Sequence, residues 1–529
     1  MADKIGKEVD VDSERPAPPF TAAPASAVGQ PSGQRRRWRD RAAQELTPRA
    51  LWSRHRVFSI LVLLSLVLRV LAELAFRPAM FIADSFLYMQ DGTTFTLGQL
   101  RPSGYPILLH LIIPLHSLLA ITVLQHLAGI LTAVVVYALL RSWGLPGWGA
   151  ALATVPALFD PRQVALESYI LPDTVFGLVV VIAVAVLLTR RRPGVWQCVI
   201  AGLAISYSAL LRGDGLLLAI PVLAYMLVRR VGWRAFAAAV AAFAVPILGY
   251  ATLFYANYGD FNVTNSDGMF LWARTTSFAN CSIIKPPSDL ARLCPNRQGV
   301  PAYTAAGRST PADYLWAPKA WWRVDAKPGP NRANNALATK FAIDAIKAQP
   351  MGYAGAVARD VAAAFKPDHS PRTINDLAFT SVPSIVKLPP GYARDLRRYA
   401  LSDEYQHAVQ PYAHLLFLYQ EYVYLPGPAL LAIFLVGLVG IGRNWRRWGG
   451  LGALPWATAV VTIVASAALA EYLYRYVIVT VPLACLAAGL AFVPASRQPD
   501  PAQALDDSQH SAAAGRAEMP DAASLRAAN

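Results

Sequence analysis

The feature that most constrains this chain is the recurrence of long apolar segments that carry almost no charge. A helix needs about 20 mainly apolar residues to cross a bilayer, and many segments here approach that length. Only 15% of the 529 residues are charged, whereas a soluble globular protein has about 25% charged residues. The chain is therefore predicted to be an α-helical polytopic membrane protein.

We expect about ten transmembrane helices, within a range of roughly 9 to 12, each judged against a crossing of about 20 residues. They are residues 57–76, 117–140, 145–159, 171–188, 195–211, 214–228, 235–255, 426–442, 451–469 and 476–494. Residues 105–116 are apolar as well, but Pro106 and Pro114 interrupt them. A re-entrant or interfacial piece is expected at that position.

Arginines and acids occupy opposite sets of the loops between these segments. The arginines are Arg141, Arg190, Arg191, Arg192, Arg229, Arg230, Arg234, Arg443, Arg446 and Arg447. The acids of the other loops are Asp84, Asp91, Asp160, Glu167, Asp214 and Glu471. Because basic residues collect in cytosolic loops, we predict a cell-membrane protein with both termini cytosolic and the acidic loops extracytoplasmic. The net charge of +15 is then an orientation signal, and without a recognition motif it does not predict nucleic-acid binding.

The same pattern predicts five regions along the chain. They are a disordered basic cytosolic tail (1–50), an N-terminal transmembrane module (51–255) with external loops 77–106 and 160–172, an extracytoplasmic domain (256–425), C-terminal transmembrane helices (426–495) and a disordered cytosolic tail (496–529). The extracytoplasmic domain is expected to be mixed and mainly helical. Its size suits either a cover that binds an acceptor or a purely structural cap.

Two of the four cysteines, Cys281 and Cys294, lie together in the predicted extracytoplasmic domain. Cys198 and Cys485 fall in apolar segments and are expected to be small packing residues. No CxxC or Cys/His cluster accompanies any of them, which argues against a zinc site. Cys281 and Cys294 are predicted to form a disulfide if their region faces an oxidising compartment.

Two loop carboxylates are candidates for chemistry, Asp84 in the first external loop and Glu167 in the second. Bundling of the spans would bring the two loops together. A carboxylate at that position can accept a proton from a hydroxyl nucleophile or bind a divalent cation through its oxygens. The alternative is a pair of solvated loop acids. Asp173, which follows Pro172 at a helix start, is favoured there by the helix dipole alone.

Two arginines on the same predicted side are candidate phosphate ligands. Arg212 interrupts an apolar stretch and Arg475 precedes the last span. A buried charge of this kind must be paired or must bind a ligand. Arg212 has Asp214 as one available partner, and a phosphate gripped by the guanidinium is the other possibility. In the first span, Arg69 and Glu73 are spaced i, i+4, and we expect them to form a structural salt bridge.

A family resemblance follows from five short motifs in this order. They are Ala83-Asp84-Ser85-Phe86-Leu87-Tyr88, Arg101-Pro102-Ser103-Gly104-Tyr105-Pro106, Glu167 with Pro172-Asp173, Leu211-Arg212-Gly213-Asp214-Gly215-Leu216, and Tyr474-Arg475-Tyr476. With these motifs the chain resembles the GT-C superfamily of polyprenyl-phosphate-sugar-dependent glycosyltransferases. That group includes protein O-mannosyltransferases and the lipid A aminoarabinose transferase. The resemblance covers residues 55–255 and, more weakly, 425–495.

The resemblance implies a GT-C-like architecture and a role for each motif. A sugar, hexosyl or pentosyl, would pass from a polyprenyl-phosphate donor to a hydroxyl of an envelope glycan, lipid or protein, with inversion, at the outer face. Asp84 would be the general base or would position the acceptor hydroxyl, and Arg212 and Arg475 would hold the donor phosphate. Glu167 and Asp173 would support the site or a metal. The other supporting residues would be Tyr88, Arg101, Tyr105 and Asp214.

No cofactor is required by this scheme, and a divalent cation held by Asp84 and Glu167 is the open alternative. Many relatives have two adjacent acids in the first loop, whereas Ser85 follows Asp84 here. This departure counts against metal coordination by that loop. The motifs of ATP-binding loops and serine hydrolases are not found in the sequence.

Two functions of other classes compete with a transferase. A transporter or flippase of a lipid-linked glycan would be expected to place its ionisable residues near the bilayer midplane and to show repeated halves. In this sequence the candidates gather at the predicted outer ends of spans, and no repeated halves are evident. A non-enzymatic scaffold for envelope assembly would leave the acids merely solvated.

Overall fold

The structure is a computed structural model that describes residues 48–190, 192–298, 310–325, 327–367, 378–379, 391–401, 406–448 and 450–493. The chain divides into two units, Met1–Arg56 and Val57–Asn529. The predicted cytosolic tail at 496–529, and all but the last three residues of the tail at 1–50, lie outside the described residues.

The described residues are almost entirely helical. In chain order the α-helices are α1 Pro48–Ala75, α2 Ala83–Thr94, α3 Gly104–Ile112, α4 Leu118–Ser142, α5 Gly147–Leu152, α6 Val155–Phe159, α7 Pro161–Ser168, α8 Asp173–Leu188, α9 Val195–Leu211, α10 Ala219–Val228, α11 Trp233–Tyr258, α12 Asp267–Thr275, α13 Cys281–Ile284, α14 Pro311–Trp316, α15 Arg332–Ala348, α16 Pro350–Ala363, α17 Tyr392–Ala400, α18 Tyr412–Tyr422, α19 Gly427–Trp448, α20 Ala453–Leu469, α21 Tyr474–Ile478 and α22 Val481–Leu490. Short 3₁₀ turns cover Ile113–Leu115, Gly213–Leu218, Ala291–Leu293 and Pro295–Arg297. Two short strands, β1 Phe76–Arg77 and β2 His407–Ala408, pair antiparallel with Phe76 opposite Ala408.

Several of these helices are long and apolar enough to cross a membrane. Within the described part of the chain, four meet that length and hydropathy: His55–Ala75 of α1, α4, α11 and Gly427–Trp445 of α19. Shorter apolar helices cover Gly104–Leu115, Asp173–Leu188, Val195–Leu211, Gly213–Val228, Ala453–Leu469 and Tyr474–Leu490. The chain is thus an α-helical membrane protein, as its composition predicts.

Three predicted spans differ from a single α-helix: 214–228 begins in a 3₁₀ turn, 476–494 is divided between α21 and α22, and 145–159 is broken. Residues 145–159 form two short helices, α5 and α6, in place of one crossing. Pro156 lies at the start of α6, where a proline lacks the N–H that a continuous helix would need. The neighbouring interrupted segment, 105–116, is helix α3 followed by the 3₁₀ turn that contains Pro114.

Helices α12 to α15 (residues 267–298 and 310–348) form a region that we call the cap. The cap has a small core of its own between α12 and α15. Ala338, Phe341, Ala342 and Ala345 form one apolar face of α15 and are fully buried, as expected for helical spacing. They pack with Trp272 and its neighbours on α12. The disulfide between Cys281 and Cys294 closes the loop beside this core.

The predicted extracytoplasmic domain at 256–425 contributes to two cores. The cap has its own, whereas Leu396, Tyr399 and Leu416 of α17 and α18 pack into the main core of the transmembrane helices. Tyr399 donates a hydrogen bond to the Met89 carbonyl of α2 at 3.2 Å. Helix α17 therefore supports α2, the helix that carries Asp84.

Candidate functional site

Asp84 lies at the centre of a buried ionic cluster that three distant parts of the chain build. It is in the first turn of α2 and is 8% exposed. Arg101, from the loop before α3, donates from Nη2 to both carboxylate oxygens at 3.1 Å. Arg475, in α21, donates from Nη2 to Oδ2 at 3.1 Å. One carboxylate thus holds two arginines.

The two arginines set the charge state of Asp84. Burial raises the pKa of this carboxyl, but the charges and hydrogen bonds of Arg101 and Arg475 outweigh burial and hold the pKa below its ordinary value. Opposite charges at hydrogen-bond distance favour the ionised form. Asp84 is therefore a carboxylate, and it fixes the positions of both guanidinium groups.

Arg212 forms a second cluster beside the first. It directly follows α9 and lies between two acids, donating from Nη1 to Asp173 Oδ1. Its Nε and Nη2 donate to the two oxygens of Asp214 at 3.1 and 2.8 Å. Ser466 of α20 adds a hydrogen bond to Asp214 at 3.2 Å. Each nitrogen of the Arg212 guanidinium is thus engaged by a carboxylate.

Tyr476 connects the two clusters. Its hydroxyl accepts a hydrogen bond from Arg475 Nη2 at 3.0 Å. Its ring centre lies 4.2 Å from Arg212 Cζ, a cation–π distance. Both clusters line one cavity of about 330 Å³, to which Tyr88 also contributes. The neighbouring apolar wall of this cavity consists of Pro172, Leu216, Leu217 and Leu469.

A larger cavity of about 950 Å³ begins at the same cluster and reaches the cap. Both cavities share Asp84, Arg101 and Arg475, so they meet at the cluster. The cap contributes the aromatic side chains of Phe270, Trp316 and Trp322 to its wall. Asp91 and Glu471 are further acids on this wall. The ionic cluster is therefore accessible to a ligand of considerable size.

Two hydrogen-bond donors in the Asp84 cluster are unused. The Nε atoms of Arg101 and Arg475 are buried and have no hydrogen-bond partner among the described residues. A buried donor left unpaired costs about 1–3 kcal/mol, and more when it is charged. A buried donor of this kind calls for an explanation, such as a water, an ion or a catalytic role. Both arginines line the two cavities, and Asp84 neutralises only one of their two charges, so the cluster is suited to bind an anion.

Glu167 lies elsewhere. It is fully buried in α7, where Oε1 accepts from Arg69 Nη2 and Gln163 Nε2, both at 2.9 Å. Its Oε2 is 2.8 Å from His126 Nδ1. Neither cavity at Asp84 is lined by Glu167. The structure places this acid in a network between α1, α4 and α7 and does not bring it to Asp84.

The expected i, i+4 salt bridge between Arg69 and Glu73 is wrong. Arg69 pairs with Glu167, whereas Glu73 lies 3.1 Å from His126 Nε2. A fully buried carboxylate needs a cation more than a partly exposed one does. Gly129 makes room for this arrangement, because a Cβ there would collide with the Glu167 carboxylate.

The remaining predicted residues divide between the cavity and its support. Tyr88, Asp173 and Asp214 line the smaller cavity. Tyr105 is fully buried behind Tyr88, with the two rings perpendicular at 5.4 Å, and donates to Gln125 at 2.9 Å. Tyr105 therefore packs behind the site.

Sequence reasoning gave no site role to two residues that the structure brings there. Tyr476 and Glu471 both line the larger cavity. The signal was present, because Tyr476 belongs to the Tyr474-Arg475-Tyr476 motif and Glu471, one of the predicted outer-loop acids, lies four residues before Arg475. Arg101, expected only to support the site, contacts Asp84 directly.

A metal shared by Asp84 and Glu167 does not fit this arrangement. The Asp84 oxygens face guanidinium groups, and those of Glu167 face Arg69, Gln163 and His126. In the described part of the chain, no group of three or more His, Cys, Asp or Glu side chains could hold a metal ion.

The fold and the site together define an α-helical membrane protein with a buried carboxylate–arginine site. No family model and no curated protein matches the sequence. Among solved structures, it is similar to the crystal structure of ArnT from Cupriavidus metallidurans bound to undecaprenyl phosphate, with 14% identity and a TM-score of 0.34 over 81% of this chain and 77% of that chain. The apo state of the same protein gives 14% identity and a TM-score of 0.32, over 82% and 77% of the two chains. At such TM-scores the likeness carries no argument about function.

Proposed function

We propose that this protein is an integral-membrane glycosyltransferase of the GT-C type. It transfers a sugar from a polyprenyl-phosphate donor to a hydroxyl of an envelope glycan, lipid or protein, with inversion, at the extracytoplasmic face. One observation carries the proposal: Asp84 holds Arg101 and Arg475 at the junction of two cavities, and each arginine has one buried donor without a partner among the described residues.

The arginine pair suits a phosphate that becomes a leaving group. Guanidinium groups match phosphate oxygens in geometry and stay charged at all relevant pH values. The phosphate of a lipid-linked sugar departs with an additional negative charge, and fixed cations stabilise the charge that develops in the transition state. Arg101 and Arg475 are already held in place by Asp84, so little reorganisation is required at the moment of transfer.

The family resemblance predicts that Arg212 and Arg475 bind the donor phosphate. The hydrogen bonds of the three arginines favour a different pair. Every nitrogen of the Arg212 guanidinium is engaged by Asp173 or Asp214. The Nε of Arg101 has no hydrogen-bond partner in the part of the chain that the structure describes. We therefore assign the donor phosphate to Arg101 and Arg475. Arg212 acts through Tyr476, whose ring it packs against.

The surroundings support a lipid-linked donor and a separate acceptor. The smaller cavity has leucines of apolar helices beside its ionic cluster, which suits a ligand with a charged head and an apolar chain. The larger cavity leads to the aromatic side chains of the cap and offers space for an acceptor. We place the site on the extracytoplasmic side because the arginine-rich loops mark the other side as cytosolic.

The proposal is tested with purified protein, a panel of polyprenyl-phosphate sugars and a cell-envelope extract, with products identified by mass. We expect at least one sugar to yield an acceptor whose mass has increased by one glycosyl unit. A donor that crosses proteoliposome membranes unchanged would overturn the proposal in favour of a transporter. Absence of both transfer and transport for every donor would overturn it in favour of a scaffold.

A further inference from the structure

Glu471 is an acid of the larger cavity to which no role has yet been given. It lies in the connection between α20 and α21, four residues before Arg475, and is 8% exposed. It lines the cavity together with Asp84 and Arg475. Its Oε2 accepts the backbone N–H of Ala312 in the cap at 3.3 Å. No ion pair forms on Glu471 within the described ranges, although Arg475 is nearby in the chain.

The environment of Asp84 makes it a poor acceptor of a proton. Both of its oxygens accept hydrogen bonds from arginines, and its pKa is held below the ordinary value. A general base is most effective when its pKa lies near the working pH. Asp84 is therefore suited to hold Arg101 and Arg475 and is unsuited to take the proton of an acceptor hydroxyl.

The groups around Glu471 have the opposite effect. Burial raises the pKa of Glu471 to about 7. The Ala312 N–H and the charge of Arg475 lower this pKa, whereas the charges of Asp360 in α16 and Asp313 in α14 raise it further. Asp360 is itself held by Arg274 Nη1 at 2.6 Å and by the Tyr472 N–H at 3.0 Å. The packing of α14, α16 and α21 thus produces a carboxyl that exchanges its proton near neutral pH.

Resting on the function proposed above, we propose that Glu471 is the catalytic base of the transfer. The acceptor hydroxyl gives its proton to a Glu471 oxygen while the hydroxyl oxygen bonds to the anomeric carbon. The bond from that carbon to the phosphate oxygen breaks, and its electron pair leaves on the phosphate. Arg101 and Arg475 receive the released charge, and Asp84 positions these arginines.

The test is the pH dependence of kcat in Glu471→Gln and Glu471→Asp. Because a base must be ionised, wild-type activity should fall as the pH decreases through about 7. We expect Glu471→Gln to lower kcat by about 10²–10⁴-fold and to remove this acid limb, with little change in the donor KM. Glu471→Asp should retain part of the activity together with an acid limb, which a merely structural side chain would not produce.

Two controls make the result specific. Asp91 lines the same cavity, and burial raises its pKa to about 7 as well, so Asp91→Asn must keep the wild-type acid limb. The exposed Glu421 of α18 gives a matched substitution outside both cavities, and Glu421→Gln should behave as wild type.

Several results would overturn the assignment. The first is a Glu471→Gln variant that keeps the wild-type kcat and acid limb. The second is a Glu471→Gln variant in which only the donor KM increases, and the third is an Asp91→Asn variant that loses the acid limb. A wild-type protein that transfers no sugar would instead overturn the proposed function, and the role of Glu471 with it. If the wild-type protein transfers sugar and Glu471→Gln has the same kcat and pH dependence, only the role of Glu471 is overturned.

Discussion

At the scale of single residues, the central feature is a carboxylate whose two oxygens hold two arginines. Asp84 and Arg475 are 391 positions apart in the sequence, and Arg101 lies between them. A buried charged group is stable only when it is paired and hydrogen-bonded. Each of the three depends on the others, so a change in any one of them alters the anion site.

The first prediction concerns Arg475→Lys. Lysine keeps the charge but replaces the rigid planar fork of donors by one compact ammonium, so it loses the bidentate geometry that matches a phosphate. We expect the KM for the lipid-linked donor to rise about tenfold, equivalent to about 1.4 kcal/mol, with a smaller change in kcat. Steady-state kinetics at saturating acceptor measures both values. Arg192→Lys, at an exposed position away from the cavities, is the matched control. A variant with the wild-type donor KM would remove Arg475 from the phosphate site.

Contacts between distant residues were the part of the site that the sequence did not predict. The motifs around Asp84, Arg212 and Arg475 lie at one pair of connected cavities. The assignment of Arg69 to Glu73 was wrong because spacing along one helix records local partners only. The actual partner, Glu167, is 98 residues away and is fully buried. Whether Arg69 pairs with the local or the distant carboxylate depends on how deeply each is buried, and burial depends on tertiary packing.

At the scale of structural elements, the network around Glu167 joins α1, α4 and α7. Arg69 is 2% exposed and His126 is 4% exposed, and both face the same carboxylate. The sequence predicts α1 and α4, since their apolar segments specify them, but it places α7 inside the predicted external loop 160–172. It did not predict the break between α5 and α6, since a proline can end a span or merely kink it.

The second prediction is that Glu167→Gln weakens the fold. The amide leaves Arg69 buried without its anion, which costs about 3–5 kcal/mol. We expect a clearly lower unfolding temperature in detergent and a donor KM close to wild type for the protein that remains folded. Glu421→Gln supplies the same chemical change at an exposed position. Loss of transfer at an unchanged unfolding temperature would instead return Glu167 to a catalytic role.

At the scale of the whole molecule, the site lies where the transmembrane helices meet the cap. Residues of α2, α21 and the cap line the same cavity, and α17 supports α2 through Tyr399. One wall of the cap core, the apolar face of α15, follows helical spacing in the sequence, whereas the opposite wall at Trp321 and Trp322 has no periodic pattern. The disulfide pair was predictable, since two cysteines share one polar region.

The third prediction concerns the two sides of the membrane. In a background with Cys198→Ala and Cys485→Ala, Asp289→Cys in the cap should react with a membrane-impermeant maleimide in intact cells. Arg192→Cys should react only after lysis, because arginine-rich loops are cytosolic. Gel-shift or mass detection of the label gives the result. Labelling of both positions in intact cells would contradict the proposed orientation.

The most direct test of the central claim is the stoichiometry of transfer in wild type and in Asp84→Asn. With purified protein and a lipid-linked sugar that it uses, we predict one polyprenyl phosphate released for each sugar attached to the acceptor. Asp84→Asn should insert normally but transfer at least about 100-fold more slowly, because a neutral amide leaves two buried arginines without their anion. Asp289→Asn, at an exposed position of the cap, should match wild type. Full activity of Asp84→Asn, or sugar transfer without release of polyprenyl phosphate, would contradict the account.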